Sequence, residues 1–500
     1  MRLEEWFLTA DERRNPGTRL DSRHADGSAW SAGNDVTVLV HGGSYFAELL
    51  RSVRLMRAGD LLLFTDWRGD PDQRLDETGN GVARVFADAA ARGVVVKGLL
   101  WRSHLDQFAF SEQENRHLGE EIEAAGGECL RDMRVRPGGS HHQKFVVLRH
   151  PGRPDLDVVF VGGIDLCHSR LDGPEHRGDH QRQPMAKIYG PRPPWHDVQL
   201  RIQGPAVADI ETVFRERWED PARLTNNPIH VIGDLVRRED TSPGELPPQL
   251  PDPGPRGGHN VQVLRTYPRR RKQYPFAPCG ERSVAHAYQK VIGRAHRLIY
   301  LEYQYLWAAD VVRCFADALR ANRQLRLIAV VPLHPDQDGR LSMPPNLVGR
   351  KMRWTSYVRP AVIGSGSMAS RTTRARPCTC TPRCALSTMC GPQLDRTTSI
   401  DGPGPTIPNC RVRFSMRIGT REIRRLSIAT AMARVGSRDA FGCNSPRNTL
   451  IVGPATISTW SIRTLPSPPS LTVHAIFRRG TTVHSQPGHR AGCVPTTLRG

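Results

Sequence analysis

The chain has 500 residues, 38% of them hydrophobic, and a formal net charge of +20. That length supports two or three domains with their own cores, and no window approaches the eighteen apolar residues of a membrane-crossing helix. The opening Met1-Arg2-Leu3-Glu4-Glu5 does not begin a secretory signal, so the expected address is the cytoplasm, with any membrane contact peripheral.

The first 225 residues alternate between strand and helix patterns. Asp60 to Trp67 is a buried-strand run, Val82 to Arg92 has helical period, and Gly93 to Trp101 is strand again, which predicts a βαβ unit. Ser140 to Leu148 and Asp157 to Val161 are β-rich and joined by the turn-like Arg149 to Leu156, as in a hairpin. Trp195 to Ile202 is a further strand and Val207 to Trp218 a helix.

His142 and Lys144 lie on the first arm of that hairpin. Side chains two apart on a strand share a face, so an imidazole and an ammonium can converge on one phosphate. A neutral imidazole can attack phosphorus, and the Lys supplies positive charge where the transition state gathers negative charge. The leaving alkoxide also needs a proton donor, so this is half of a site. His141 beside it is expected to support the strand. Gly162 and Gly163 are expected to allow close backbone approach, and Asp165 after them can cap the turn. His196 and Asp197 point in opposite directions on their strand, which leaves at most one of them facing the site and favours a structural role for Asp197.

A Pro/Gly-rich stretch from Thr241 to His259 has linker composition. After it the first pattern recurs: Ser44 to Trp67 and Val82 to Trp101 match Ser283 to Trp307 and Val311 to Pro332, with Phe86-Ala87-Asp88-Ala89 against Phe315-Ala316-Asp317-Ala318. Glu302 and Gln304 share one strand face there, lining a cleft or packing between lobes. The expected fold is α/β: two related lobes, each a mixed sheet flanked by helices, the second incomplete and followed by an irregular, disordered tail. The expected divisions are 1–240 for the first lobe, 241–259 for the linker, 260–351 for the start of the second lobe and 352–500 for the tail.

These residues resemble the phospholipase D superfamily, whose signature H-x-K-x4-D occurs once per lobe. Phe160-Val161-Gly162-Gly163-Ile164-Asp165-Leu166-Cys167, Arg170, Asp172, Pro174-Glu175-His176, Pro194-Trp195-His196-Asp197 and Tyr300-Leu301-Glu302-Tyr303-Gln304-Tyr305 resemble its eukaryotic-type phospholipases, over about residues 38–350. The Asp that should close the first motif is Arg149. In the family that Asp is a supporting group, and Asp157 across the hairpin is a candidate to replace it; Asp165 stands where the resemblance implies an Asn or Asp that hydrogen-bonds near the phosphate, the alternative to a turn cap.

No H-x-K occurs after residue 352. From Arg353 on there are 21 Arg, no Lys and four acids, a charge of +17 that leaves only +3 for residues 1–352. Re-reading one base earlier leaves one free base per codon, and Cys378 to Thr388 then admits Val-Tyr-Val-His-Ala-Lys-Val-Cys-Val-Val-Asp, the missing motif. Leu394 to Gly404 and Pro360 to Gly364 re-read as further family segments. The expectation is that residues from about 352 onward are out-of-frame translation. Cys378, Cys380, Cys384 and Cys390 fit no common zinc spacing, and the tail lacks the Lys and interleaved aromatics of a nucleic-acid arm.

The resemblance implies hydrolysis or transphosphatidylation of a glycerophospholipid such as phosphatidylcholine. His142 would form a phosphohistidine, Lys144 would hold the phosphoryl oxygens, and the lost second His would protonate the leaving alcohol. No metal or other cofactor is expected, since two Lys replace its charge. The expected partner is phospholipid at a membrane surface, with no specific nucleic acid and a monomeric chain. With one motif the chain as it stands is expected to be nearly inactive. The alternatives are a non-catalytic phosphate- or lipid-binding remnant and a nuclease that completes its site by dimerisation.

Overall fold

The computed structural model describes residues 3–103, 112–136, 139–239, 241–304, 308–332, 334 and 336, and the backbone of five short strands between 366 and 462. Thr9 starts the first helix, α1 (Ala10–Arg13), through a reciprocal pair of hydrogen bonds with Glu12. Then follow β1 (Ser31–Val40), α2 (Gly42–Arg54), β2 (Leu61–Asp66), α3 (Val82–Ala91), β3 (Val95–Trp101), α4 (Glu112–Ala124), β4 (Glu128–Asp132), β5 (Phe145–Arg149), β6 (Val158–Gly162), β7 (Trp195–His196), β8 (Val198–Gln203), α5 (Ala206–Trp218) and α6 (Pro228–Arg237). The later part adds β9 (His259–Val263), β10 (Thr266–Tyr267), β11 (Glu281–Arg282), α7 (Ser283–Gly293), β12 (Leu298–Glu302), α8 (Ala309–Ala321) and β13 (Arg326–Val330).

The main sheet runs β9-β1-β8-β6-β5-β2-β3-β4. β2, β3 and β4 are parallel, as a βαβ crossover requires, while β2-β5, β5-β6, β6-β8, β8-β1 and β1-β9 are antiparallel. Strand alternation sorts the apolar residues by face. Leu62, Phe64, Val146, Val158 and Phe160 pack with Tyr45, Phe46 and Leu49 of α2 and Phe86 of α3. Leu61, Leu63, Phe145, Val147, Val159 and Val161 pack with Val207, Ile210, Val213 and Phe214 of α5. Each such side chain contributes about 1.5–3 kcal/mol on full burial.

Every residue of α5 is buried, including Asp209, Glu211, Arg215, Glu216 and Arg217. The cover comes partly from the stretch whose composition reads as a linker. It is irregular, yet it is strapped down: Trp218 donates to Gly244 O (2.7 Å), Gln249 to Ala208 O (3.0 Å), and Leu246 packs against the core. Arg149 joins this belt. Wholly buried at the end of β5, it donates to Pro251 O (2.6 Å) and lies 3.2 Å from Glu211 and 3.5 Å from Asp157. Asp157 is thus the counter-ion of the residue standing where an Asp was expected.

The second repeat is visible as β12-α8-β13, with β12 and β13 parallel in register Leu298 to Arg326 through Glu302 to Val330. It has its own core around Ile299, Leu301, Val312, Phe315 and Leu327. Among the late strands, Asn448–Val452 extends the main sheet beside β9, and Thr379–Cys380 pairs with β7. The side chains of the tail, with Cys378, Cys384, Cys390 and the re-read motif, lie outside the described residues.

Candidate active site

The C-terminal ends of β2 and β3, the entrance to β5 and the exit of β6 meet at one edge of the sheet. His142, Gln143 and Lys144 do not lie within the strand; β5 begins at Phe145, so they form its lead-in. They still converge. Lys144 Nζ sits 3.4 and 3.3 Å from the two ring nitrogens of His142, with His142 exposed and Lys144 buried. The ring of His142 rests 5.4 Å from that of Trp67, which in turn stacks on Trp101 at 5.5 Å. Gln143 between them points away, donating to Tyr267 Oη at 2.9 Å and accepting from Arg217 at 2.7 Å. The segment is therefore pinned from the side opposite its reactive face.

Asp165 belongs to this group. Its Oδ1 lies 3.0 Å from Lys144 Nζ and its Oδ2 3.7 Å from Arg170 Nη2. Arg170 is stacked on the Trp195 ring at 3.6 Å. Burial opposes ionisation of Asp165, but Lys144, Arg170 and His142 outweigh it and hold the carboxyl below its ordinary range. Asp66, at the end of β2, is its opposite. Burial first, and then the charge of Asp165, push Asp66 well above the carboxylate range, with Lys144 opposing. Of the two carboxyls, Asp66 is therefore the one in which burial and the neighbouring charge favour the neutral form, while its oxygens accept from Trp67 N and Leu166 N at 2.8 and 2.7 Å. The result is a charged Asp165 that fixes Lys144 beside His142.

Gly162 and Gly163 are required by the neighbouring strand. A Cβ on Gly162 would stand 2.0 Å from Gln199 Oε1, and one on Gly163 2.3 Å from Asp197 Oδ1. Asp197 accepts from Val198 N (2.7 Å) and Trp195 Nε1 (3.3 Å), a structural role. His196 turns elsewhere: its ring meets those of His41 and His176, and its Nε2 is 3.6 Å from Glu302 Oε2. Gln304 hydrogen-bonds Asp336. Glu302 thus reaches across to the first lobe.

His141 lies in a buried cluster of Asp132, Arg134 and Arg217, 3.5 Å from Asp132. Burial, and then the Arg217 charge, push its imidazole down to about 4 against the pull of Asp132. Its folded value lies below the unfolded one near 6.5, so its stabilising contribution is present above that pH and is lost as pH falls toward 4. His141→Gln should therefore lose about 2 kcal/mol less than the parent chain between pH 7.5 and 4.5 in urea unfolding. Equal losses would remove His141 from this account.

Asp66, Trp67 and Arg170 were not among the residues singled out for the site. Asp66 and Trp67 had one available signal, their position at the C-terminal end of a parallel strand, where α/β sites are built. A family model described as phospholipase D matches residues 120–312. Phospholipase D beta 2 of Arabidopsis thaliana is 30% identical over 250 residues, which cover 39% of this chain and 27% of that protein. Phospholipase D alpha 1 of Cynara cardunculus is 32% identical over 227 residues, covering 37% and 27%. The chain thus spans about a quarter of the length of the curated relatives it matches. Among solved structures, a phosphatidylserine synthase of Haemophilus influenzae Rd KW20 aligns with a TM-score of 0.36 at 11% identity, covering 59% of this chain and 61% of that one.

Proposed function

With a phospholipase D family match over residues 120–312 as the premise, we propose that the chain descends from, and in its complete form acts as, a phosphodiesterase for glycerophospholipids working through a phosphohistidine. The observation that carries the reading is the approach of Lys144 Nζ to both nitrogens of an exposed His142, with buried Asp165 holding the ammonium from behind. His142 attacks phosphorus and the P–O bond to the head group breaks. Lys144 and Arg170 surround the oxygens that gain charge. A second imidazole protonates the leaving alcohol and then takes a proton from the water or alcohol that cleaves the P–N bond. Asp66 acts as a positioning residue, since it lies against Asp165 and helps to hold that carboxyl in place.

The reading is tested by incubating the frame-restored chain with phosphatidylcholine labelled in its phosphatidyl part and mapping acid-labile label. Label on His142 is expected, and label on another residue would refute the assignment. A parallel assay on DNA separates the lipid enzyme from a nuclease, and a chain that binds phosphatidylcholine but never turns it over would be the non-catalytic remnant.

Contact with a lipid surface is supported by α6. Its inner side carries His230 and Asp234, and its outer side leaves Ile229, Ile232, Leu235 and Val236 62–78% exposed. Asp234 is clasped by Arg102, which directly follows Trp101, so this apolar face stands at the same end of the sheet as His142. Lys272, exposed like Arg269 and Arg271, donates to Asn226 just before the helix, placing cationic charge beside the apolar face. Apolar area with basic flanks suits an anionic membrane surface. Ile232→Asp with Leu235→Asp should weaken binding to phosphatidylcholine/phosphatidylglycerol vesicles at least about tenfold at unchanged melting temperature. Unchanged vesicle flotation would assign the face to something else.

A further inference from the structure

Three histidines distant in sequence meet in one place. His41 lies between β1 and α2, His176 in the loop after β6, and His196 on β7. Their ring centroids are 4.8, 4.9 and 5.5 Å apart, and one ligand atom from each lies within 4.8 Å of the others. Glu302, arriving from β12 of the second lobe, places Oε2 3.6 Å from His196 Nε2, while its Oε1 accepts from Tyr300 Oη. Glu302 is 6% exposed, and among the described residues Oε2 has no hydrogen-bond donor.

Two features mark the cluster as built. His41 and His176 both have positive φ, +70° and +50°, a region that costs a non-glycine residue about 1–3 kcal/mol and persists where the surroundings impose it. Asp172 stands behind His176, with Oδ2 3.4 Å from Nδ1, and is itself fixed by the backbone N–H groups of Gly173, Gly178 and Trp195. A carboxylate on the far nitrogen of an imidazole is the arrangement that orients metal-binding histidines and leaves Nε2 toward the ion. Bringing three imidazoles together is unfavourable for three cations. It suits neutral rings sharing one cation.

We propose that His41, His176, His196 and Glu302 form a binding site for a divalent transition ion, zinc being the best match to three imidazoles and one carboxylate. A tetrahedral zinc separates its ligand atoms by about 3.3 Å, a contraction within reach of small side-chain rotations. The site lies apart from the contacts that join His142, Lys144 and Asp165, and it does not depend on the phosphodiesterase reading. Its consequence is mechanical. With Glu302 from the second lobe and the histidines from the first, the ion clasps the two halves.

The test uses the full chain with its accessible cysteines alkylated under native conditions, so that the seven tail thiols cannot bind the metal. Equilibrium dialysis against zinc should give one equivalent per chain, and zinc should raise the melting temperature. His41→Gln, His176→Gln or Glu302→Gln should abolish the stoichiometric binding. Asp172→Asn, which keeps the ligands but loses the orienting charge, should weaken it about 10- to 100-fold. Cobalt substitution supplies a readout that needs no variant: intense visible bands of a tetrahedral nitrogen–oxygen site support the assignment, and a weak octahedral spectrum overturns it. No zinc on the folded chain, or one equivalent retained by the triple histidine variant, would equally overturn it.

Discussion

Re-reading the coding sequence one base earlier from about codon 352 is expected to raise choline release from phosphatidylcholine by about 10²- to 10⁴-fold over the chain as it stands, the usual worth of a general acid. The reason is chemical balance. His142 can form a P–N bond only if the departing alkoxide receives a proton, and within residues 1–351 no second H-x-K supplies that donor. Asp66, whose carboxyl is pushed up by burial and by Asp165, is buried behind Lys144 and so is not available to a leaving group at the exposed side of His142. His142→Asn in the restored chain should return turnover to the level of the present one. Equal rates before and after restoration, or coding DNA that cannot spell the second motif in any frame, would sink the proposal.

Arg265→Met is expected to lower stability by about 3–5 kcal/mol at pH 7, the usual cost of stranding a buried partner. Arg265 donates to Glu281 Oε2 (2.8 Å) and Thr18 Oγ1 (2.7 Å) and also pairs with Glu216. Arg13 and Asn15 bind the same Glu281 at 2.9 and 2.6 Å. The network thereby ties the N-terminal segment, α5 and the β10–β11 region. Burial would raise the Glu281 carboxyl, but Arg265 and Arg13 outweigh it and bring it down to about 2. With the folded value below the unfolded one near 4.5, this stability is full above pH 4.5 and drains away as pH falls toward 2. In the variant Glu281 loses a cation, and protonation relieves it, so the deficit should narrow between pH 7 and pH 4. A constant deficit in denaturant unfolding across that range would show lost packing in place of stranded charge.

Much of this architecture was legible because it is periodic. Continuous apolar runs at 61–66 and 145–149 and the helical spacing at 82–91 set β2, β5 and α3 from local pattern alone, and the repeat revealed β12-α8-β13. Adjacent residues were equally readable: His142 and Lys144 are two apart, and so they meet whether or not the strand has begun. The stretch at 241–259 reads as a linker, and its backbone is irregular as Pro and Gly specify, but those residues do not specify exposure. Here its carbonyls are the acceptors that a buried Trp218 and Arg149 need.

By itself, then, the sequence determined the α/β lobes, their duplication, the imidazole–ammonium pair and the break in character near residue 352, all properties of neighbours or of repeating intervals. Tertiary structure alone decided that Asp66 lies against Asp165, that Arg170 rather than His196 closes on the acidic pair, that Arg149 is a buried fastener, and that His41, His176 and His196 stand together with Glu302 beside His196. These are contacts between residues far apart in sequence, 155 positions from His41 to His196 and 106 from His196 to Glu302. Burial and mutual charge, which set ionisation and pairing there, exist only once the sheet has brought those strands' ends together.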